Sequence, residues 1–344
     1  MNFIIRTDAS VNIGTGHVMR CLALADELRQ RNTNIKFICR DEEGNLMELI
    51  EKKGYKLYSL PSDIDMEADC KLTREILNTQ PTLPDWLIID HYGINYSWES
   101  SLRGFVKKIM VIDDLVDRKH DCDLLLNQNY NTDEKRYLGL TTDGCIQLLG
   151  PEYALLRPQF FMARKKLRER NGDVKRILVF MGGSDPTDQT SRVLSAIKKL
   201  NKPDIVADVV IGSSNSKCTE IENLISSMPN TTYYFDIENM AELMSYADLA
   251  IGAGGTASWE RCCVGLPSVV INIADNQTGI SKSLSKKGCC IDLGWYEHVS
   301  IEKIKNCLDD LIMNSLQLVK ISRECLSLVD GLGSGRVSDY LFNN

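Results

Sequence analysis

His17 is the side chain of this sequence best placed to accept a proton. It ends a loop, residues 8–17, that joins the first predicted strand to the first predicted helix. Open α/β sheets bind ligands at the carboxyl ends of their strands, and Gly14 and Gly16 would let backbone N–H groups approach an anion there. The positive end of the helix dipole disfavours a charged imidazole, so a neutral His17 could act as a base. A partly buried histidine that bonds to a backbone carbonyl is the alternative.

Asp8 is the second candidate for a catalytic role. It lies close enough to His17 in the sequence to orient or polarise the ring, or to position a water molecule. A salt bridge from Asp8 to Arg6 or Arg20 would explain the residue as well. The sequence leaves both interpretations open.

A second glycine turn, the sequence Ile-Gly-Ala-Gly-Gly-Thr-Ala-Ser-Trp-Glu that ends at Glu260, indicates a nucleotide site. Free N–H groups after Gly254 and Gly255, together with the hydroxyls of Thr256 and Ser258, would hold a diphosphate without a lysine or a metal ion. Glu260 lies in the next helical turn and could accept hydrogen bonds from both ribose hydroxyls. A tight packing turn is the alternative, but it needs neither both hydroxyls nor three glycines.

Two further strand ends carry candidate binding residues. Gly182, Gly183 and Ser184 follow the first strand of the second half, where the glycines allow close approach and the serine supplies a hydroxyl. The Asp-Pro pair that comes next can serve at the same time as the start of a helix. Asn276 and Gln277 precede another predicted helix, where their amides could bind the hydroxyl and acetamido groups of a sugar or cap the helix.

Other polar residues at strand ends carry weaker signals. The segment Asp-His-Tyr that ends at Tyr92 closes a strand of the first half, where side chains of an acceptor subsite are expected, with loop capping as the competing explanation. For Asp113 and Asp114 we favour loop capping and solvated charge, since most loop carboxylates are solvated. His120 and His298 lie in polar segments and receive no role.

The elements that would position these residues follow from alternating patterns. Short apolar runs alternate with segments of helical period, which is typical of a parallel sheet covered by helices. The predicted strands are residues 3–5, 35–39, 86–89 and 109–112 in the first half, and 176–181, 205–211, 232–235, 249–251 and 268–271 in the second. The apolar face of the first helix, which begins near His17, comprises Val18, Cys21, Leu22, Ala25 and Leu28. The sequence therefore predicts an α/β fold with two Rossmann-like domains and an interdomain cleft as the ligand site.

The domain boundary is expected near residue 155. The pattern weakens over residues 127–149, and prolines at Pro151 and Pro158 then interrupt the chain. The first domain, 1–155, would carry the catalytic histidine, and the second, 156–344, would bind the nucleotide. Residues 301–342 read as helices that could pack back on the first domain.

Composition excludes several classes of protein. With 344 residues, 43% apolar and 25% charged, the chain is expected to form two ordinary globular domains. The net charge of −7 is modest and no basic stripe indicates a nucleic-acid or membrane partner. The 12 cysteines lack zinc-type spacing, and the start of the chain lacks a signal-peptide core. We expect a cytoplasmic monomer with free thiols and with no metal or cofactor.

The motifs together resemble a known family. Residues 6–10, Arg-Thr-Asp-Ala-Ser, and 13–21, Ile-Gly-Thr-Gly-His-Val-Met-Arg-Cys, are similar to the N-terminal signature of the UDP-sugar hydrolases of pseudaminic acid biosynthesis. The resemblance covers most of the chain in order and continues through residues 112–115, 182–186, 239–244 and 247–260. That family is similar in architecture to GT-B glycosyltransferases, whose C-terminal domain holds the uridine nucleotide.

The resemblance implies cleavage of UDP-2,4-diacetamido-2,4,6-trideoxy-β-L-altrose at the anomeric C–O bond, which releases UDP and the free sugar. By resemblance the site consists of the catalytic His17, the nucleotide-binding Gly254, Gly255 and Glu260, and the substrate-binding Tyr92, Asn276 and Gln277. One departure is Asp188, where the family is expected to have asparagine after the Gly-Gly-Ser-Asp-Pro turn.

The residues themselves suit this chemistry. UDP is a good leaving group, so the enzyme needs stabilisation of phosphate charge and a deprotonated water more than a strong general acid. The glycine turns would supply the first and His17 the second. A GT-B glycosyltransferase that uses a UDP-sugar donor, and a non-catalytic sensor of nucleotide sugars, are the other candidate functions.

Overall fold

The computed structural model describes residues 1–131, 133, 135–237 and 239–344. The chain forms two compact units: unit 1 comprises Met1–Arg157 and Leu332–Asn344, and unit 2 comprises Pro158–Gly331. The chain thus leaves unit 1 after Arg157 and returns to it for the last helix. None of the helices formed by the described residues combines the length and apolar character needed to cross a bilayer.

Unit 1 contains a seven-stranded parallel sheet in the order β3-β2-β1-β4-β5-β6-β7. Its strands are β1 (Asn2–Thr7), β2 (Asn34–Arg40), β3 (Lys56–Leu60), β4 (Trp86–Asp90), β5 (Lys108–Ile112), β6 (Leu124–Asn127) and β7 (Ile146–Leu149). Its helices are α1 (Gly16–Arg29), α2 (Met47–Lys52), α3 (Met66–Asn78), α4 (Tyr96–Leu102) and the last helix, α13 (Gly333–Asn343). The strand order reverses between β1 and β4, the position where open α/β sheets bind ligands.

Apolar side chains cover both faces of this sheet. Phe3 and Ile5 of β1 belong to a core that includes Val337 and Leu341 of α13, whereas Ile4 belongs to the core on the opposite face. This alternation is the two-residue period of a strand, and apolar residues on both faces are typical of a parallel sheet buried between helices. The core therefore holds the ends of β1 and β4 in fixed positions.

Unit 2 contains a six-stranded parallel sheet in the order β10-β9-β8-β11-β12-β13. Its strands are β8 (Arg176–Phe180), β9 (Val206–Ile211), β10 (Thr231–Phe235), β11 (Leu249–Ala253), β12 (Ser268–Asn272) and β13 (Ile291–Trp295). Its helices are α5 (Pro158–Arg164), α6 (Gln189–Leu200), α7 (Cys218–Ser226), α8 (Met240–Tyr246), α9 (Ala257–Cys263), α10 (Asp275–Lys287), α11 (Ile301–Ile312) and α12 (Ser315–Leu328). Here the strand order reverses between β8 and β11.

All nine predicted strands are present, and four strands were missed: β3, β6, β7 and β13. The alternating pattern weakens over residues 127–149, but β7 forms at the end of this range. Three of the missed strands are sheet edges with a single neighbour, and β6 has only four residues. An edge or very short strand needs no long apolar run, so its sequence pattern is weak.

Candidate functional site

His17 begins α1 at the carboxyl end of β1, next to the last residue of β4. Nδ1 of His17 lies 2.5 Å from Oδ1 of Asp90. Asp90 is fully buried, and the His17 side chain is 7% exposed. Burial disfavours charge on Asp90, but Arg20 and His17 outweigh it and hold the pKa of this carboxyl below its usual range. Since an ionised carboxylate only accepts hydrogen bonds, Nδ1 of a neutral His17 carries the proton and Nε2 carries the lone pair.

Arg20 fixes the position of Asp90. Its Nε lies 2.6 Å from Oδ2 of Asp90 and its Nη2 lies 2.7 Å from Oδ1. A third nitrogen, Nη1, donates to Oδ2 of Asp114 over 2.9 Å. Residues three apart on a helix share a face, so α1 presents both His17 and Arg20 to the end of β4. The fork of two parallel bonds leaves Asp90 a single orientation toward the imidazole.

Asp90, not Asp8, is the carboxylate that contacts His17, which corrects the expectation that Asp8 orients the ring. Asp8 instead makes two bonds to Arg6, with Nη1 to Oδ1 at 2.5 Å and Nη2 to Oδ2 at 2.9 Å. Nε2 of His91 lies 3.2 Å from Oδ2 of Asp8. Burial would raise the pKa of Asp8, but the bonds from His91 and Arg6 lower it overall. The salt bridge to Arg6 that the sequence left open is therefore present, and Asp8 supports the loop.

Tyr92 packs edge-on against the imidazole of His17. Their ring centroids are 4.5 Å apart and the ring planes meet at 85°. Tyr92 lies two residues beyond Asp90 and is partly exposed, so the segment that ends β4 supplies both the carboxylate and the aromatic neighbour of His17. These two contacts limit rotation of the imidazole. The sequence pointed to this segment but did not single out Asp90.

The glycines before His17 shape the loop. Gly14 has a φ of +80°, a conformation that favours glycine, and a Cβ there would meet nothing within 4 Å. Its N–H donates to the carbonyl of Ser10 over 2.8 Å, which closes a tight turn. Gly16 is the first residue of α1. Gly14 is therefore required for the backbone conformation that brings the chain into α1.

The expectation of solvated charge at Asp113 and Asp114 is wrong, but the expected loop capping is present at Asp113, whose Oδ2 accepts a hydrogen bond from the backbone N–H of Val116 over 3.0 Å. Asp114 accepts the bond from Arg20 described above, and Asp113 is fully buried at the end of β5. Asp113 accepts hydrogen bonds from Tyr137 Oη at 2.8 Å and lies 3.0 Å from Nη1 of Arg118. Burial opposes its charge, but His120 and Arg118 prevail and lower the pKa of Asp113 to about 2. Both carboxylates are thus part of the buried framework beneath the loop ends.

His120, which received no role from the sequence, belongs to the same framework. Its Nδ1 lies 2.7 Å from Oε1 of Glu99, and its side chain is fully buried. Burial lowers the pKa of His120, but Asp113 and Glu99 raise it overall to about 9. At neutral pH this histidine is charged and holds two carboxylates, which is a structural rather than a catalytic arrangement.

In unit 2, Gly254 and Gly255 form the turn between β11 and α9. A Cβ on Gly254 would lie 2.6 Å from Oδ1 of Asn272 on the neighbouring strand, so this position admits only glycine without rearrangement. A Cβ on Gly255 would lie 3.6 Å from Nε2 of Gln277, which is an ordinary contact. The close packing at Gly254 brings the backbone of the turn next to the start of α10, and so next to Gln277.

The side chains after the glycines do not all point outward. Thr256 and Glu260 are partly exposed, in agreement with an open binding turn. Ser258 is only 2% exposed, and its Oγ lies 2.9 Å from Nη2 of Arg261. The prediction that the Ser258 hydroxyl binds the nucleotide is therefore corrected, because this hydroxyl is turned into the interior of unit 2.

Asn276 and Gln277 lie in the first turn of α10. The N-cap residue of this helix is Ala274, so neither amide is the N-cap itself, but Gln277 makes a capping contact from the third helical position. Oε1 of Gln277 accepts a hydrogen bond from the backbone N–H of Ile273 over 3.0 Å, which leaves its NH2 group toward Gly255. Asn276 is exposed. The structure thus places Gln277 together with the glycine turn.

The turn Gly182–Gly183–Ser184 follows β8, on the other side of the point where the strand order of unit 2 reverses. Gly182 has a φ of +92°, and Ser184 is partly exposed. The carboxylate of Asp185 accepts hydrogen bonds from the first two N–H groups of α6, those of Gln189 at 2.9 Å and Thr190 at 2.8 Å, but the helix starts at Gln189 and Pro186 lies before its first turn. An open glycine turn and helix-start chemistry therefore occur together here.

Asp188, the departure from the family pattern, is the cap residue of α6. Its φ of +51° lies in the left-handed region, which asparagine and aspartate both tolerate. The backbone at this position therefore does not distinguish the aspartate of this chain from the asparagine expected of the family.

Each unit thus collects its candidate residues where its own strand order reverses. In unit 1 these are the ends of β1 and β4, and in unit 2 the ends of β8 and β11. Such reversals leave a crevice at the carboxyl ends of the strands because the adjacent connections run to opposite faces of the sheet.

Comparison with known families identifies part of unit 2. Residues 177–328 match the model of the Glycosyltransferase family 28 C-terminal domain. The matched segment includes both glycine turns and the start of α10. The candidate binding residues of unit 2 therefore all lie within the segment that this model matches.

Three relatives are similar over most of the chain. The chain is 32% identical over 287 residues to an uncharacterised protein of Methanocaldococcus jannaschii, but it spans only about half, 55%, of that protein. It is 29% identical to a UDP-2,4-diacetamido-2,4,6-trideoxy-β-L-altropyranose hydrolase of Campylobacter jejuni, over 84% of this chain and 97% of that protein. It is 27% identical to the spore coat polysaccharide biosynthesis protein SpsG of Bacillus subtilis, over 99% of this chain and 98% of that protein.

Solved structures share the fold. MurG of Acinetobacter baumannii has a TM-score of 0.70 at 15% identity, with 100% of this chain and 99% of that chain covered. A UDP-GlcNAc 2-epimerase of Neisseria meningitidis bound to UDP-GlcNAc has a TM-score of 0.67 at 11% identity, with the same coverage of 100% and 99%. The two parallel-sheet domains and these neighbours confirm the predicted GT-B-like fold. The fold by itself does not identify the reaction.

Proposed function

We propose that this protein hydrolyses a UDP-activated sugar, with His17 as the general base that deprotonates the attacking water. The observation that carries the proposal is the short bond between Nδ1 of His17 and the buried carboxylate of Asp90. That bond assigns the lone pair to Nε2. Within the described ranges, both polar contacts of the ring involve Nδ1, namely the bond to Asp90 and an approach of Nη2 of Arg20 to 3.4 Å, so Nε2 remains available to a substrate water.

In the proposed reaction the water oxygen bonds to the anomeric carbon while the bond from that carbon to the UDP oxygen breaks. The proton of the water moves to Nε2 of His17, and the bonding electrons leave with UDP. The imidazolium that forms is stabilised by Asp90, whose charge Arg20 maintains. A positioned base of this kind accelerates a reaction by about 10²- to 10⁴-fold.

We assign the nucleotide to unit 2. Backbone N–H groups of the turns at Gly182–Ser184 and Gly254–Thr256 are the proposed partners of the diphosphate, and Glu260 remains the proposed partner of the ribose hydroxyls. Backbone donors at helix starts can hold a diphosphate through hydrogen bonds alone, which is why the proposal includes no metal ion. Asn276, Gln277 and Tyr92 are the proposed contacts of the sugar, while Asp8 acts by supporting the loop before His17.

For the substrate we propose UDP-2,4-diacetamido-2,4,6-trideoxy-β-L-altropyranose. The support is the similarity to the Campylobacter jejuni hydrolase, which extends over 97% of that protein, together with the resemblance of residues 6–21 to that family's signature. A panel of UDP-sugars would test this assignment, with UDP-GlcNAc as the comparison. Equal kcat/KM for both sugars would contradict it.

Glycosyl transfer is the second candidate function, because residues 177–328 match a glycosyltransferase domain. Reaction in H2¹⁸O without an acceptor separates the two. Hydrolysis at the anomeric carbon predicts UDP release and one ¹⁸O atom in the free sugar, as measured by mass spectrometry. Label in UDP would mean cleavage of the P–O bond, and no release without an acceptor would favour a transferase.

A further inference from the structure

Three cysteines that are distant in the sequence meet inside unit 2. The Sγ atoms of Cys262, Cys289 and Cys325 all lie within 4.8 Å of one another. Their residues are 2%, 1% and 0% exposed, respectively. Cys262 is on α9, Cys289 follows the glycine that ends α10, and Cys325 is on α12. Each sulfur therefore comes from a different element, and none of the three cysteines is among the residues assigned to the proposed reaction.

The spacing of the sulfurs suits a central ion. Metal–thiolate bonds are about 2.3 Å long, so three sulfurs around one ion in a plane would be about 4 Å apart. The Sγ atoms lie within 4.8 Å of one another, so only small side-chain movements would bring them to that separation. Simple packing of three thiols needs no such convergence, because a buried cysteine can pack as a small apolar residue anywhere in a core.

The surroundings favour a negatively charged metal–thiolate group. Arg261, next to Cys262 in the chain, is 2% exposed, and its Nε has no hydrogen-bond partner among the described residues. Nη2 of Arg261 donates to the carbonyl of Ala253 and to Oγ of Ser258, both over 2.9 Å. A buried positive charge on the helix that carries Cys262 would offset part of the charge left when thiols lose their protons to a metal.

The structure assigns to Cys262, Cys289 and Cys325 a buried site for one soft, thiophilic metal ion, with Cu(I) as the expected occupant. Soft thiolate ligands select such ions over magnesium or calcium. Structural zinc almost always takes four ligands, and the cluster offers three sulfurs in a region closed to solvent. Binding would release the thiol protons and join α9, α12 and the turn before β13. This site is independent of the proposed function.

The test uses the full-length protein, reduced and kept anaerobic, with Cu(I) supplied from a competing chelator so that weak binding by surface thiols is suppressed. We expect one equivalent of retained copper and a thiolate-to-copper absorption band in the ultraviolet. At free Cu(I) of about 100 times Kd, the Tm of the protein should rise by about 5–10 °C. Absence of retained copper in the wild-type protein would overturn the assignment.

Matched variants locate the ion. Cys289→Ser and Cys325→Ser should lose the retained equivalent, whereas Cys290→Ser should keep it. Cys290 is 3% exposed and adjacent to Cys289, but its thiol donates to the carbonyl of Ser281, a bond that a serine hydroxyl can replace. Equal loss in the Cys290 variant, or full retention in the Cys289 variant, would place the copper elsewhere and refute the site.

A second measurement needs no variant. The wild-type protein is alkylated in partially denaturing buffer with and without Cu(I), and the labelled cysteines are identified by peptide mass mapping. Copper should protect Cys262, Cys289 and Cys325 as a set and leave Cys263 and Cys290 unchanged. Two outcomes would contradict the proposal even where a variant fails to fold. One is equal protection of all buried cysteines, and the other is no protection of Cys262, Cys289 and Cys325.

Discussion

Replacement of Asp90 by asparagine tests the central element of the proposed reaction. The substitution removes one negative charge that lies against Nδ1 of His17 and is held by two bonds from Arg20. It keeps the size of the side chain and one acceptor oxygen. The oxygen should remain at the position shared by His17 and Arg20, since both donors there are nitrogens at 2.5 and 2.7 Å, whereas the other position has one nitrogen donor and the weak Cys21 thiol at 3.6 Å.

The expected loss follows from the missing charge. When His17 accepts a proton, its positive charge lies about 4 Å from the centre of the Asp90 carboxylate, and unit charges at that distance interact by about 4 kcal/mol at an effective dielectric constant of about 20. Little solvent screens the pair, because His17 is 7% exposed and Asp90 is fully buried. Since about 1.4 kcal/mol corresponds to a tenfold change in rate, we expect kcat/KM to fall by about 10³-fold.

The assay is UDP release from the UDP-sugar without an acceptor, at a temperature where circular dichroism shows the variant to be folded. Asp114→Asn is the matched control, because it removes a different partner of Arg20 and leaves Asp90 on His17. It should destabilise the protein but retain most of the activity. A double mutant with His17→Gln supplies the refutation: if Asp90→Asn still costs about 10³-fold without the histidine, Asp90 does not act through His17.

Four further outcomes are expected. His17→Asn should lose about 10²- to 10⁴-fold in kcat while the Kd for UDP, measured by calorimetry, stays within a factor of two; near-normal kcat would refute the base. Gly254→Ala should weaken UDP binding at least tenfold, because its Cβ would lie 2.6 Å from Asn272, whereas Gly255→Ala, whose Cβ has its nearest neighbour at 3.6 Å, should be mild. His120 has a pKa raised from 6.5 to about 9, so its stabilising contribution is complete below pH 6.5 and is lost as the pH rises through 9; urea unfolding should show this decline in the wild type and a flatter profile in His120→Gln. Activity should be unchanged by EDTA after extensive dialysis, and loss that magnesium restores would show a metal requirement.

The sequence predicted every interior strand of the two sheets except β6, and of the four edge strands it predicted only β10. Residues 86–89 and 268–271 are runs of apolar side chains with few other possible structures, and both form buried parallel strands. The edge strands β3 and β13 carry lysine, aspartate or glycine, and their partial exposure leaves no continuous apolar run. A continuous apolar run in the sequence indicates a strand that is buried on both faces, and β3 and β13 lack such a run because they are partly exposed.

The hydrogen-bond partners of the candidate site were less accessible to sequence reasoning. Asp8 is nine residues from His17 and was the expected partner of the imidazole, whereas Asp90 is 73 residues away and contacts it. Because β1 pairs with β4 in parallel, the loop that follows β1 and leads to His17 starts at the sheet edge where Asp90 ends β4. A prediction of strand order that placed β4 beside β1 would have made Asp90 a candidate partner of His17.

By itself, the sequence determined which segments turn on glycine, where helices begin and which residue types stand at strand ends, because these depend on local backbone preferences and on apolar period. The tertiary structure alone decided which polar groups meet. It placed Asp90 rather than Asp8 beside His17 and brought three cysteines together from three elements. The physical reason is that such contacts depend on which elements become neighbours. That arrangement is selected by the burial of apolar surface over a whole unit, which no single segment of the sequence specifies.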